Sequence, residues 1–296
     1  MQSKVEPADE SGEALAARDD RAGRPRLGVT VGLWLALLAL CAATVAVCKL
    51  AFATPAHAAN RSAPIAAPGS GVGTTMDEAL PASIAHLPLV DQNGHATDLA
   101  AFRGKVLMIS DTMTLCQETC PLDTANLVQT ARLLDADGLA GRVEFLTITI
   151  DPSRDMPAQL AAYRHLYEPT PANWDALTGS PQAIAALWKF FGVYIEKVAE
   201  GSAPSVNWRT GQKLTYDLDH SDEIFFVDAS GTERFLIEGM GHVAAGTAVP
   251  ETMKKYLDAQ GLANLSAPAS DGWTVPQALQ SLSWLTQRPI PLASAS

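Results

Sequence analysis

Cysteine is scarce in this chain. Of four cysteines in 296 residues, Cys41 and Cys48 fall in an apolar N-terminal segment, which leaves Cys116 and Cys120 alone in the remainder. With no second pair to complete a tetrahedral set, a closed structural zinc site is excluded. Basic charge is also short. Residues 1–54 hold six residues of each sign, so the whole imbalance, 15 basic against 26 acidic, lies beyond them. An acidic globular part does not suit nucleic acid, whose phosphates need a basic face. It suits cations or a basic protein, and it favours solubility. No internal repeat is visible.

Charge is missing altogether from Leu27 to Cys48, after a polar leader that ends in Arg18, Arg21, Arg24 and Arg26. A run of this length can span a bilayer as a helix, which needs about 20 residues. Basic residues ahead of it hold the N-terminus in the cytoplasm. The pattern predicts a cytoplasmic tail over 1–26, one transmembrane anchor over 27–49, and export of the rest. Ala56-His57-Ala58 resembles a signal-peptide cleavage site. The apolar run is longer than a signal-peptide core, however, and the leader is long, so the anchor is expected to stay uncleaved. The acidic residues of the leader do not suit a mitochondrial presequence. The expected location is a bacterial inner membrane, single-pass, with the soluble domain in the periplasm, where thiols meet oxidising conditions.

Residues 50–79, rich in Pro, Ala, Gly and Ser, predict a flexible linker. A folded domain is expected over 80–262, with a C-terminal extension of unassigned structure over 263–296. Asn93-Gly94 between two short apolar runs predicts an N-terminal hairpin. Val106–Ser110 and Val143–Ile150 read as buried strands, and a helix runs from Pro121 to near Gly138. Further helices are expected after Pro157, after Pro181 and over 249–260, and a second hairpin over 222–238. Strands alternating with helices, followed by a hairpin, make an α/β pattern that suits a thioredoxin-like sheet.

The two cysteines sit in Cys116-Gln-Glu-Thr-Cys120-Pro121, between the first buried strand and its helix. Pro121 marks a helix start and places Cys120 at the N-cap, where backbone N–H groups and the helix dipole stabilise a thiolate. So small a loop gains little from a structural disulfide, which leaves redox or metal chemistry. Cu(I) prefers thiolates and accepts few ligands, with a histidine as the third. Among His86, His95, His165, His220 and His242, the spacing favours His220, just ahead of the second hairpin and facing the cysteine loop.

Four segments then carry a resemblance: C-x-x-x-C-P, Thr149-Ile-Asp-Pro-Ser-Arg-Asp-Met-Pro157, Leu177-Thr-Gly-Ser-Pro-Gln-Ala-Ile184 with Phe191-Gly-Val-Tyr-Ile-Glu-Lys197, and Asp219-His-Ser221 before Phe225-Phe-Val-Asp-Ala-Ser-Gly231. Together they resemble the Sco/SenC family over about residues 85–260. The resemblance implies a membrane-anchored thioredoxin fold and copper, as Cu(I), Cu(II) or both, bound by Cys116, Cys120 and His220. It also implies a role in assembling the dinuclear copper centre of cytochrome c oxidase, whose copper-bearing subunit would be the client. Asp151, Pro152, Arg154, Asp155 and Asp219 match supporting motif positions. Met113, Gln117 and Asp111 depart from the family pattern, and Asp111 and Glu118 put negative charge near the thiols, which favours holding a cation. The competing enzymatic reading is a thiol–disulfide oxidoreductase using Cys116 and Cys120 as its catalytic pair. A thioredoxin-fold peroxidase fits less well, because Thr114 precedes Cys116 by two positions rather than three.

Overall fold

The computed structural model describes residues 32, 34–42, 44, 63–200, 205–267 and 272–291. The chain divides into two units, residues 1–62 and 63–296. In the first, residues 34–42 are helical and exposed. Among the described residues no helix is long and apolar enough to cross a membrane. Much of the span expected over 27–49, the tail over 1–26 and the linker up to residue 62 lie outside the described residues.

The second unit is built on an eight-stranded sheet. Its strands are β1 (Thr74–Ala79), β2 (Leu89–Asp91), β3 (Ala96–Thr97), β4 (Val106–Thr112), β5 (Val143–Thr149), β6 (Trp174–Gly179), β9 (Glu223–Val227) and β10 (Thr232–Glu238), in the order β1-β10-β9-β4-β5-β6-β2-β3. A separate two-stranded ribbon joins β7 (Ile195–Val198) to β8 (Asp217–His220). The helices are α1 (Ala82–Ala85), α2 (Cys120–Ala136), α3 (Pro157–His165), α4 (Pro181–Phe191), α5 (Glu251–Tyr256), α6 (Ala259–Ser266) and α7 (Val275–Thr286). β4, β5 and β6 run parallel, and β9 and β10 continue the sheet antiparallel on the other side of β4. This is a mixed α/β, thioredoxin-like sheet with the N-terminal hairpin β2–β3 at one edge.

Period-two alternation sends side chains to two cores. Val106, Met108, Ile224 and Phe226 face one, with α2 and α7. Leu107, Ile109, Phe225 and Val227 face the other, with α4 and the cysteine loop. Every residue of β4 and β5 is buried, as expected for central strands covered on both faces.

Both expected domain boundaries move. β1, in the segment read as linker, pairs with β10. It is a mostly exposed edge strand, Thr-Thr-Met-Asp-Glu-Ala, and has no apolar alternation to betray it. At the other end, α7 joins the core: Trp273 is 1% exposed and Leu279 and Leu282 are fully buried. Here the signal was present. Val275, Ala278, Leu279 and Leu282 lie at helical spacing, and Thr274 and Gln277 form a capping box. The helix expected over 249–260 is two helices, because Asp258 caps α6 through the Gly261 N–H and the chain is extended at Leu257.

Candidate metal centre

β4 delivers the chain to the loop Met113–Thr119 at the carboxyl edge of the sheet, and α2 leaves from it. The β7–β8 ribbon carries His220 to the same place, pairing it with Ile195. Cys120 Sγ lies 3.8 Å from His220 Nε2, although the residues are a hundred positions apart. The ligand atoms of Cys116, Cys120 and His220 all lie within 4.8 Å of one another. Both thiols are free and buried. The other expected histidines lie elsewhere: His86 pairs with Asp98, His95 with Asp91 and His165 with Glu168, all on exposed surface, and His242 is held by backbone bonds to Asn126 and Trp273.

The His220 ring has one possible orientation of its proton. Nδ1 is 2.8 Å from the Ser221 carbonyl, which can only accept, so Nδ1 donates and Nε2 faces the sulfurs as the ligand atom. Asp111 Oδ2 is 2.9 Å from the same Nδ1 but receives no directed bond, so it acts on the ring through its charge. Burial lowers the imidazole pKa, but Asp111 and Cys116 outweigh it and hold His220 well above the usual histidine value.

The helix start differs from the expected one. Cys120 is the first residue of α2, and Thr119 takes the N-cap position. The N–H groups of Glu118 and Thr119, each 3.5 Å away, point at Cys116 Sγ instead. Contact with Cys120 holds the Cys116 thiol well below the usual value against its burial, with His220 assisting. The same contact and burial push Cys120 well above it. Cys116 is therefore the more acidic thiol of the pair, chiefly through its contact with Cys120 and with a smaller contribution from the backbone N–H of Glu118.

The supporting motif residues brace this loop from below. Asp155, buried, accepts from the Thr114 N–H, the Thr114 hydroxyl and the Thr149 hydroxyl. Arg154 pairs with Asp151, lies 3.8 Å over the Tyr216 ring and reaches Met113 Sδ at 3.2 Å. Met113 is thus a buried packing residue with its sulfur against a guanidinium. Asp219 is exposed at the mouth. A cavity of about 250 Å³ opens onto the site. Glu118, Asp217, Asp219, Asp222 and Asp258 are among its lining residues, which among the described residues include no Lys or Arg.

The loop is also clamped from above, by residues the motif reading missed. Its carbonyls at Thr114, Leu115, Gln117 and Glu118 accept from Trp208 Nε1, the Tyr256 hydroxyl, the Asp258 N–H and Asn264 Nδ2. A Cβ added at Gly261 would sit 2.1 Å from the Gln117 carbonyl oxygen, so α6 can reach the loop only with glycine there. Gly261→Ala is expected to push the loop aside, to destabilise the fold by about 1–3 kcal/mol, and to weaken soft-metal binding. Denaturant midpoints and metal titration of the variant check this; two unchanged values would show that the contact yields without consequence.

This is a thioredoxin-like domain whose loop cysteines converge with a distal histidine into a donor set that could hold a metal ion. The chain belongs to the SCO1/SenC family, whose model matches residues 78–257. It is 31% identical over 143 residues to the SCO2 homolog, mitochondrial, of Bos taurus, covering 48% of this chain and 49% of that protein. It is 29% identical over 145 residues to a SCO2-like protein of Rickettsia felis, covering 48% and 63%. The solved structure of Bradyrhizobium japonicum ScoI with copper bound is 25% identical, with a TM-score of 0.40, and covers 62% of this chain and 99% of that chain. The chain spans about half to two thirds of the length of these curated relatives. The α6 and α7 helices lie beyond the matched segment.

Proposed function

We propose that this chain is a membrane-anchored copper chaperone. The reduced Cys116 and Cys120 take up copper with His220. The linker presents the loaded domain to the copper-bearing subunit of cytochrome c oxidase, and ligand exchange passes the ion on as cargo. The hydrophobic segment over 27–49 anchors the chain in a bacterial inner membrane, with the domain in the periplasm. One observation carries the reading: two sulfurs and an imidazole Nε2 converge within 4.8 Å. Thiolates with imidazole suit copper, and three donors are too few for a closed zinc site. Membership of the SCO1/SenC family supports it.

The test is copper titration of the full chain in a Cys41→Ala/Cys48→Ala background, where Cys116 and Cys120 are the only thiols. Saturation near one equivalent is expected, with loss of binding on adding Cys116→Ser and Cys120→Ser. Undiminished binding in that variant sinks the proposal.

A second reading rests on the split between the two thiols. The Cys116 thiolate, facing the cavity, attacks a client disulfide and expels one client thiolate. Cys120 then resolves the mixed disulfide and releases the second, leaving a Cys116–Cys120 disulfide and a client reduced by two electrons. Reduction of the client's cysteines would precede metal loading.

A further inference from the structure

Two thiolates and an imidazole, taken alone, favour the softer, monovalent ion. This chain surrounds them with carboxyl groups. Asp111, at the end of β4 and 4% exposed, holds Oδ2 at 2.9 Å from His220 Nδ1, and that oxygen has no hydrogen-bond partner. The Glu223 N–H bonds its other oxygen at 3.2 Å, which fixes the carboxylate in place. Asp222 Oδ1 is 3.7 Å from the same Nδ1 and accepts from the Thr119 hydroxyl at 3.2 Å. Thr119 in turn lies 3.8 Å from Cys116 Sγ. The two carboxylates therefore touch the donor set from both ends, one behind the imidazole and one beside the thiolate loop.

Compensating charge is sparse around them: among the described residues, no Lys or Arg lines the cavity. Arg154, which reaches Met113, is already paired with Asp151 and stacked on Tyr216. Two thiolates and a neutral imidazole leave a net charge of about −1 around Cu(I) and about zero around Cu(II), before either aspartate is added. Charge left uncompensated in a buried site is disfavoured. Each aspartate widens the difference, so the more positive ion gains more.

We propose that Asp111 and Asp222 determine oxidation-state specificity, biasing the Cys116–Cys120–His220 site toward Cu(II). Asp111 acts through His220, as a carboxylate behind a ligating imidazole strengthens the donor. The inference rests on the copper reading above and names the form of the ion that the site prefers.

The experiment measures Cu(I) and Cu(II) affinities separately, by competition with bicinchoninate and with nitrilotriacetate. The proteins are the full chain in the Cys41→Ala/Cys48→Ala background and its Asp111→Asn and Asp222→Asn variants. One-equivalent binding is expected to persist. The ratio of Cu(II) to Cu(I) affinity should fall about ten- to a hundredfold per substitution, the scale of one unit charge about 6–12 Å from the ion at an effective dielectric near 20. Equal weakening of both ions, with the ratio unchanged, would reduce the aspartates to scaffolding and overturn the inference while leaving the copper reading intact. Absence of copper binding in the parent chain would overturn the copper reading itself. Where Asp111→Asn does not fold by circular dichroism, Asp222→Asn decides the outcome, because Asp222 is partly exposed.

Discussion

Replacing His220 with alanine is expected to lower copper affinity by more than about a hundredfold. Losing a group that merely orients a ligand typically weakens metal binding ten- to a hundredfold, so losing the ligand should exceed that. The geometry makes the effect specific. Nε2 is held 3.8 Å from Cys120 Sγ by the Nδ1 bond to Ser221 on its far side, so the donor is pre-oriented and no neighbouring histidine can replace it. The substitution also separates the two functional readings. Cys116 and Cys120 remain, so disulfide formation between them persists in the variant. The Cys116 thiolate loses the support of the imidazole, however, and should attack more slowly. Copper affinity from chelator competition and the rate of reaction with a disulfide probe are the paired readouts. A large loss of affinity with client maturation retained would favour the reductase. Unchanged affinity would remove His220 from the site.

A chain ended after Leu262, where the sequence pattern closes the domain, is expected to lose cooperative folding. The truncation removes Trp273 and the apolar face of α7 from the core that α2 shares. Trp273→Ala alone should cost about 3–5 kcal/mol, a large part of the 5–15 kcal/mol that holds a typical domain together. Its Nε1–H also donates to Asp123 Oδ1 at 2.6 Å inside the core. Removing that donor takes one of the hydrogen bonds from a buried carboxyl group, which adds about 1 kcal/mol. Asp123 lies three residues into α2 from Cys120, so the loss reaches the metal loop as well. Urea unfolding followed by circular dichroism measures both variants. A truncated chain that unfolds at the full-length midpoint would show that α7 is an appendage.

Much of the sheet was legible because its strands are continuous apolar runs. The segments Val106–Ser110 and Val143–Ile150 match β4 and β5 almost residue for residue. The hairpin over 222–238 appears as β9 and β10. β1 was illegible because an exposed edge strand has no face to bury, and its pairing with β10 depends on a partner more than 150 residues away. The ribbon that places His220 was half-read: Gly192–Lys197 carried a strand signal, but β8, Asp-Leu-Asp-His, is polar and exists through its pairing with β7.

The candidate donors follow from residue types and their order alone. A lone cysteine pair before Pro121, a histidine ahead of the last hairpin and the surrounding motifs name Cys116, Cys120 and His220 without coordinates. How those groups behave depends on the fold around them. It makes Cys116 rather than Cys120 the more acidic thiol, chiefly through the contact between the two sulfurs, with His220 assisting. It turns Asp111 from a stray charge near the thiols into the carboxylate behind His220. It makes Gly261 and Asn264, beyond the family match, part of the loop's support. The physical reason is common to all three. Donor identity is a property of single residues, which a sequence states directly, whereas charge state and rigidity depend on burial and on contacts formed only in the folded chain, for Asp111, Gly261 and Asn264 with partners more than a hundred positions away.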